Sequence, residues 1–328
     1  MAILPSLRAS RPTLSFEFFP PKNDRGSEDL LKTVNELGKL DPAFVSVTYG
    51  AGGTTRERTR EVVQRIIQDT SVPTIPHLTC IGHTKSEMSE ILSQYSADQV
   101  GTILALRGDP PRDQPDYDRG TDDFKFAGDL VAFIKDHSDE FEIGVAGFPE
   151  GHPGTQNRLT EMDYFKSKVD QGADYICTQL FFDNHDFFDY RERCNLAGID
   201  LPIVAGIMPI TTISSMKRMA DLAAGSRFPA KLLKRLSDAG GDAAAIRQAG
   251  IDHAIEQCQG LIQQNVSGLH LYTLNKSSAT REIAAALTFY FSSAVPRSRA
   301  CFSKRTLALS LMFIKLASRS STGIHRQP

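Results

Sequence analysis

Eight short runs rich in apolar and β-branched residues recur along this chain, with longer amphipathic segments between them. The runs span residues 14–19, 43–48, 74–80, 102–107, 142–147, 174–179, 202–207 and 268–273. Each has the length of a strand buried on both faces. The intervening segments carry apolar residues at helical spacing. Leu30, Leu31, Val34 and Leu37 share one side of 27–37, and Val62, Val63, Ile66 and Ile67 share one side of 55–68. Residues 85–97, 122–137, 158–171, 186–197 and 242–264 read the same way. Strand alternating with helix dictates a parallel sheet. Eight repeats in a chain of 328 residues predict an α/β fold, a closed (β/α)8 TIM barrel, with an open doubly wound sheet as the alternative. About 60 residues separate the seventh run from the eighth, so extra helices are expected before the last strand. No GxGxxG follows the first strand, which weighs against a Rossmann dinucleotide site. The pattern ends near residue 287. Residues 288–328 form a basic C-terminal tail.

Formal charge is −2; the tail contributes seven cations and no acid, leaving −9 for the rest. No bulk electrostatic case for nucleic acid exists. The five cysteines lie far apart with no CxxC pair, which argues for reduced thiols in a cytoplasmic protein and against a zinc ribbon or disulfide framework. No apolar stretch reaches the roughly 18 residues of a membrane span, and the N-terminus lacks a secretory pattern.

Polar residues cluster where the predicted strands end, and in a barrel those ends meet at one mouth. The first strand carries Glu17 inside Leu14-Ser15-Phe16-Glu17-Phe18-Phe19-Pro20-Pro21. A carboxylate there is paired, protonated or catalytic, because burying an unpaired charge is costly. The other ends bring Thr48 and Tyr49, His77 and Thr79, Arg107-Gly108-Asp109, Phe148 with Glu150 and His152, Thr178-Gln179, and His270 with Tyr272. Each has a plainer reading. His77 and His152 fit satisfied structural histidines, Arg107 and Asp109 a local ion pair, and Lys168 the solvated face of a helix.

Together these strings resemble the methylenetetrahydrofolate reductase family. The resemblance rests on Ser15-Phe16-Glu17-Phe18-Phe19-Pro20-Pro21, Val45-Ser46-Val47-Thr48-Tyr49-Gly50-Ala51-Gly52-Gly53, Pro76-His77-Leu78-Thr79-Cys80 and Ala105-Leu106-Arg107-Gly108-Asp109. It continues through Pro149-Glu150-Gly151-His152-Pro153, Thr178-Gln179-Leu180-Phe181-Phe182-Asp183 and Leu271-Tyr272-Thr273-Leu274-Asn275. The stretches stand in the family's order from about residue 14 to residue 287. The length resembles the short, catalytic-domain-only form. The resemblance implies one catalytic domain over residues 1–287, FAD at the C-terminal mouth and ping-pong chemistry. NADH or NADPH is the reductant and methylenetetrahydrofolate the acceptor. Glu17 then resembles the general acid that opens the folate ring, and Asp109 the acid beside the flavin. Thr48, Tyr49, Ala51, His77, Arg107, Gly108, Phe126, Ala127, Phe148, His152 and Lys168 match flavin-contacting positions. Gln179, Tyr272 and Lys276 match substrate-side positions.

Ring opening needs a proton delivered to a weakly basic nitrogen. A glutamic acid among aromatic neighbours, where burial disfavours charge, suits that task. Arg107, His152 and Lys168 offer donors for a diphosphate.

Several positions depart from the family pattern. Phe126 and Phe148 stand where relatives often have Tyr, so a ring is kept and a hydroxyl lost. Ile213 replaces a stacking Phe, and Lys276 an Arg, losing bidentate geometry. Two further readings share these residues: a related flavin barrel that oxidises proline, and a silent folate- or flavin-binding module. The resemblance also implies a homo-oligomer, with no membrane or nucleic-acid partner and no metal.

Overall fold

A computed structural model describes residues 2–50, 56–110, 116–118, 120, 122–223 and 225–292. Eight parallel strands close into a barrel in sequence order. They are β1 (Thr13–Phe18), β2 (Phe44–Val47), β3 (Thr74–Thr79), β4 (Thr102–Leu106), β5 (Glu142–Gly147), β6 (Tyr175–Thr178), β7 (Ile203–Ile207) and β8 (Gly268–Tyr272). All eight lie within a residue or two of the predicted runs. Closure is direct, with Glu17 of β1 opposite Ser46 of β2 and Tyr272 of β8.

The helices are α1 (Leu4–Leu7), α2 (Asp24–Gly38), α3 (Arg56–Asp69), α4 (Lys85–Ala97), α5 (Ala127–His137) and α6 (Arg158–Val169). The later ones are α7 (Asn184–Leu196), α8 (Ile213–Leu222), α9 (Ala230–Asp238), α10 (Ala243–Gln263) and α11 (Ser278–Ser292). Helix α5 starts five residues later than the 122–137 pattern suggests, because Asp129 accepts from the backbone N–H of Phe126 at 2.9 Å and sets the first turn there. Helices α8 and α9 supply the expected insertion before β8. Helix α11 continues to Ser292, beyond the proposed domain end at 287, and residues 293–328 lie outside the described residues.

Three cores follow from the strand alternation. Residues pointing outward, such as Phe16, Phe18, Val45 and Val47, pack under the helices. Residues pointing inward fill the barrel's lower half: Phe44, Ile75, Leu104, Tyr175, Cys177 and Val204. Ile3 and Leu7 close that base. Glu142 fixes the plug, accepting from the Ile3 N–H (2.6 Å), the Leu4 N–H (3.2 Å) and the Thr102 hydroxyl (3.0 Å). The third core joins Leu180, Phe182, Met208 and Ile210 to α8 and α9, with Phe228 and Tyr272 packed on it. The insertion therefore builds a wall beside β6 to β8. No described helix is long and apolar enough to cross a membrane.

Candidate active site

Above the apolar base the barrel interior turns polar. Ser15, Glu17, Ser46, His77, Thr79 and His270 are all buried there. Glu17 keeps 9% of its surface exposed. Its Oε2 lies 3.5 Å from His77 Nε2 and 3.8 Å from His270 Nε2.

The two histidines differ. The Ser15 hydroxyl donates its one proton to the Leu269 carbonyl at 3.1 Å, so it accepts from His270 Nδ1 at 2.8 Å. In its neutral form His270 thus carries the proton on Nδ1 and accepts from the Ser46 hydroxyl through Nε2 at 3.1 Å. His77 has no such support: its Nε2 is buried without a hydrogen-bond partner, as is Thr79 Oγ1. Buried orphan atoms at a cleft are where a ligand or proton partner is expected. Burial pushes His77 down to about 4; Glu17 pulls it up and His270 lowers it further.

That shift carries a stability prediction. The unfolded imidazole titrates near 6.5 and the folded one near 4. Between those values the unfolded chain holds a proton that the folded one refuses. Stability is full above about pH 6.5 and falls as pH drops toward 4, by about 3 kcal/mol from His77 alone. Urea midpoints at pH 7 and 4.5 check this. His77→Gln flattens the slope only in part, because burial also lowers His83, His152 and His253. An unchanged slope in that variant contradicts it.

The backbone around Glu17 is pinned from β8. The Thr273 hydroxyl donates to the Glu17 carbonyl at 2.7 Å. The Asn275 amide accepts from the Phe19 N–H and donates to the Phe19 carbonyl, both at 2.8 Å. To do so, Leu274 and Asn275 adopt φ of 51° and 58°, a left-handed geometry costly for Leu and typical of functional loops. Sequence reasoning gave Thr273 and Asn275 no role, although both stand in the quoted Leu271–Asn275 string.

A second group gathers beyond β4 and β5. His152 is lowered by burial first, then by Arg107, with Glu161, Lys168 and Asp109 also acting on it. Its Nδ1 accepts from the Gly154 N–H at 3.0 Å. Gly108 has φ of +84°, and a Cβ there would meet Thr79 Cβ at 2.8 Å, so only glycine fits. Lys168 does not lie on a solvated face: it is half-buried and its amine donates to the Ala146 carbonyl at 2.7 Å. Burial pushes that amine down to about 8, against the pull of Glu161.

The other expected residues are more dispersed. Thr48 donates its N–H to the Phe18 carbonyl at 2.9 Å, beside Glu17. The Tyr49 hydroxyl bonds His83 at 3.3 Å. Phe148 lies edge-on to His152, with ring centroids 4.8 Å apart. Ala127 begins α5, and Phe126 before it is 66% exposed. Asp109 and Lys276 are exposed. The Gln179 side-chain carbonyl accepts from the Leu180 N–H at 2.8 Å. Tyr272 donates to the Thr178 carbonyl at 2.8 Å. Ile213 packs against the third core. Ala51 lies outside the described residues. Among the described residues no His, Cys, Asp and Glu group could hold a metal ion.

The family model of methylenetetrahydrofolate reductase matches residues 3–288, the whole barrel. The chain belongs to the methylenetetrahydrofolate reductase family. It is 38% identical to methylenetetrahydrofolate reductase 1 of Schizosaccharomyces pombe over 273 residues, 83% of this chain and 45% of that one. It is 36% identical to methylenetetrahydrofolate reductase (NADH) 1 of Arabidopsis thaliana over 294 residues, 87% of this chain and 50% of that one. The chain thus spans about half the length of these two relatives. The 5,10-methylenetetrahydrofolate reductase of Escherichia coli is 35% identical over 276 residues, 84% of this chain and 90% of that one. Among solved structures, an uncharacterized protein from Clostridium thermocellum that binds two copies of 5-methyl-5,6,7,8-tetrahydrofolic acid matches with a TM-score of 0.59. At 14% identity over 87% of this chain and 98% of that one, the likeness shows the barrel fold alone.

Proposed function

We propose that this chain reduces 5,10-methylenetetrahydrofolate to 5-methyltetrahydrofolate with electrons from NADH or NADPH, using bound FAD. The observation that carries the reading is Glu17: a carboxyl group buried in the mouth of a reductase-family barrel, with an unpartnered imidazole nitrogen 3.5 Å away.

The residues present fit FAD. A diphosphate needs cations and donors, and Arg107, His152 and Lys168 gather on one side of the mouth. The exposed Phe126 ring offers an apolar face, and Thr79 Oγ1 has unused hydrogen-bonding capacity. When bound, FAD takes a hydride from the nicotinamide and gives one to the folate.

The protein supplies the proton and the positioning. Glu17 protonates a ring nitrogen of the substrate; the adjacent C–N bond breaks, and the resulting iminium carbon is the hydride acceptor. His77, uncharged at neutral pH, can accept the Glu17 O–H and hold that proton at Oε2. Thr273 and Asn275 hold the strand end still. Asp109 and Gln179 stand as the polar contacts for the folate, and Tyr272, bonded to the Thr178 carbonyl, is a further substrate-side residue. Lys276 is the candidate cation for the substrate's acidic end.

A coupled assay tests the reading. Protein loaded with FAD oxidises NADH or NADPH with a quinone acceptor, and forms 5-methyltetrahydrofolate when methylenetetrahydrofolate replaces the quinone. Proline-dependent bleaching of the flavin, without folate turnover, favours the proline-oxidising alternative. Binding without turnover favours a silent module.

A further inference from the structure

Three segments at the mouth meet at one arginine. Arg227 lies in the connection between α8 and α9. Its backbone N–H donates to Glu150 Oε1 at 2.5 Å, and its Nε lies 3.6 Å from the same oxygen. Its guanidinium also pairs with Asp186. Glu150 follows β5, and Asp186 stands in the first turn of α7. The partners are 77 and 41 residues away in sequence.

The burial is lopsided. Glu150 and Asp186 side chains are 6% and 12% exposed, whereas Arg227 is 70% exposed. Burial pushes both carboxyls up from their ordinary values; Asp186 raises Glu150 further, and Asp183 and Asp189 raise Asp186. Without Arg227 two buried carboxylates face each other with no bridging cation, an arrangement far more costly than losing a surface ion pair.

The same connection is tied to the wall of the mouth. Ser226 donates to the Leu180 carbonyl at 3.4 Å, and Phe228 stacks on Phe182 with ring centroids 4.5 Å apart. Phe182 belongs to the third core, against which Tyr272 packs. Tyr272 is the register partner of Glu17.

We propose that Arg227 is a positioning residue that latches the α8–α9 connection against the mouth and so sets affinity for the folate substrate. This rests on the function proposed above. Arg227 meets the loop that carries His152 at the Glu150 side chain, whereas His152 and Lys168 keep their own backbone bonds, to Gly154 and Ala146, so the flavin side loses less than the folate wall when Arg227 is removed.

The test uses the full chain loaded with FAD. Arg227→Ala raises the KM for methylenetetrahydrofolate about tenfold, with NADH–quinone turnover within about twofold of wild type. Backbone amides of 225–228 exchange faster. Arg227→Lys falls between, because one ammonium keeps the charge but does not span both carboxylates. Adding Glu150→Gln to Arg227→Ala removes one of the stranded charges and recovers part of the KM. An unchanged folate KM in Arg227→Ala overturns the latch, as does an equal loss of quinone turnover. Wild-type protein that binds FAD and reduces quinone but never folate overturns the functional reading instead, and with it the latch's role in substrate affinity.

Discussion

Glu17→Gln lowers folate reduction by at least about a hundredfold and leaves flavin reduction by NADH within a few-fold of wild type. Positioned general acids contribute roughly 10²–10⁴ to rate, and the amide of Gln has no acidic proton to give at neutral pH. The change is nearly isosteric. It keeps the volume between His77 and His270 and leaves the Thr273 and Asn275 contacts, which are made to the backbone. Hydride transfer from the nicotinamide needs no proton from Glu17, so that half-reaction is spared. Rapid-mixing measurements of the two halves, each followed at the flavin absorbance, check this. Equal losses in both halves would remove Glu17 from the acid role and make it a structural carboxylate.

Gly250→Ala destabilises the protein by roughly 2–3 kcal/mol and lowers its Tm by roughly 3–5 °C. Helix propensity alone predicts the reverse, since Ala is better than Gly in a helix interior by about 1 kcal/mol. Here packing decides the sign. Gly250 lies inside α10, and a Cβ there would stand 1.7 Å from the Ile210 carbonyl oxygen and 2.7 Å from its carbon. Both neighbours are backbone, so no rotamer change relieves the overlap. Ile210 is held in the third core with Leu180 and Phe182, so the loop after β7 has little room to retreat. Movement there also disturbs the wall behind Tyr272, and the folate KM rises with the lost stability. Thermal melts of both proteins decide it; a higher Tm in Gly250→Ala contradicts the packing argument.

Much of this architecture was legible in the residues. Strands of a parallel barrel are covered on both faces, so their apolar runs stand out, and all eight were located. The extra helices were visible only as a length of chain, because α8 and α9 bury their apolar sides in a core of their own. The plainer reading of Lys168, a solvated side chain, does not hold. Sequence spacing placed it on a helix but could not show its amine reaching the Ala146 carbonyl. His270 shared the alternation of Tyr272 and was noticed at the strand end, yet its bonds reach Ser15 on β1 and Ser46 one strand further on, on β2. Thr273 and Asn275 were hidden for the same reason, since they hold a backbone some 256 residues away. Arg227 had no local signal, because its two carboxylates lie on distant segments, one after β5 and one in the first turn of α7. Pairwise contacts across the barrel mouth are set by closure, and no local pattern encodes them.

The most direct test is an anaerobic titration of FAD-loaded protein, first with NADH and then with methylenetetrahydrofolate, followed in the visible flavin band. The band should bleach with about one equivalent of NADH and return with about one equivalent of folate, 5-methyltetrahydrofolate appearing in step. A protein that takes up no FAD, or whose bleached flavin is left unchanged by the folate, would contradict the proposed reaction.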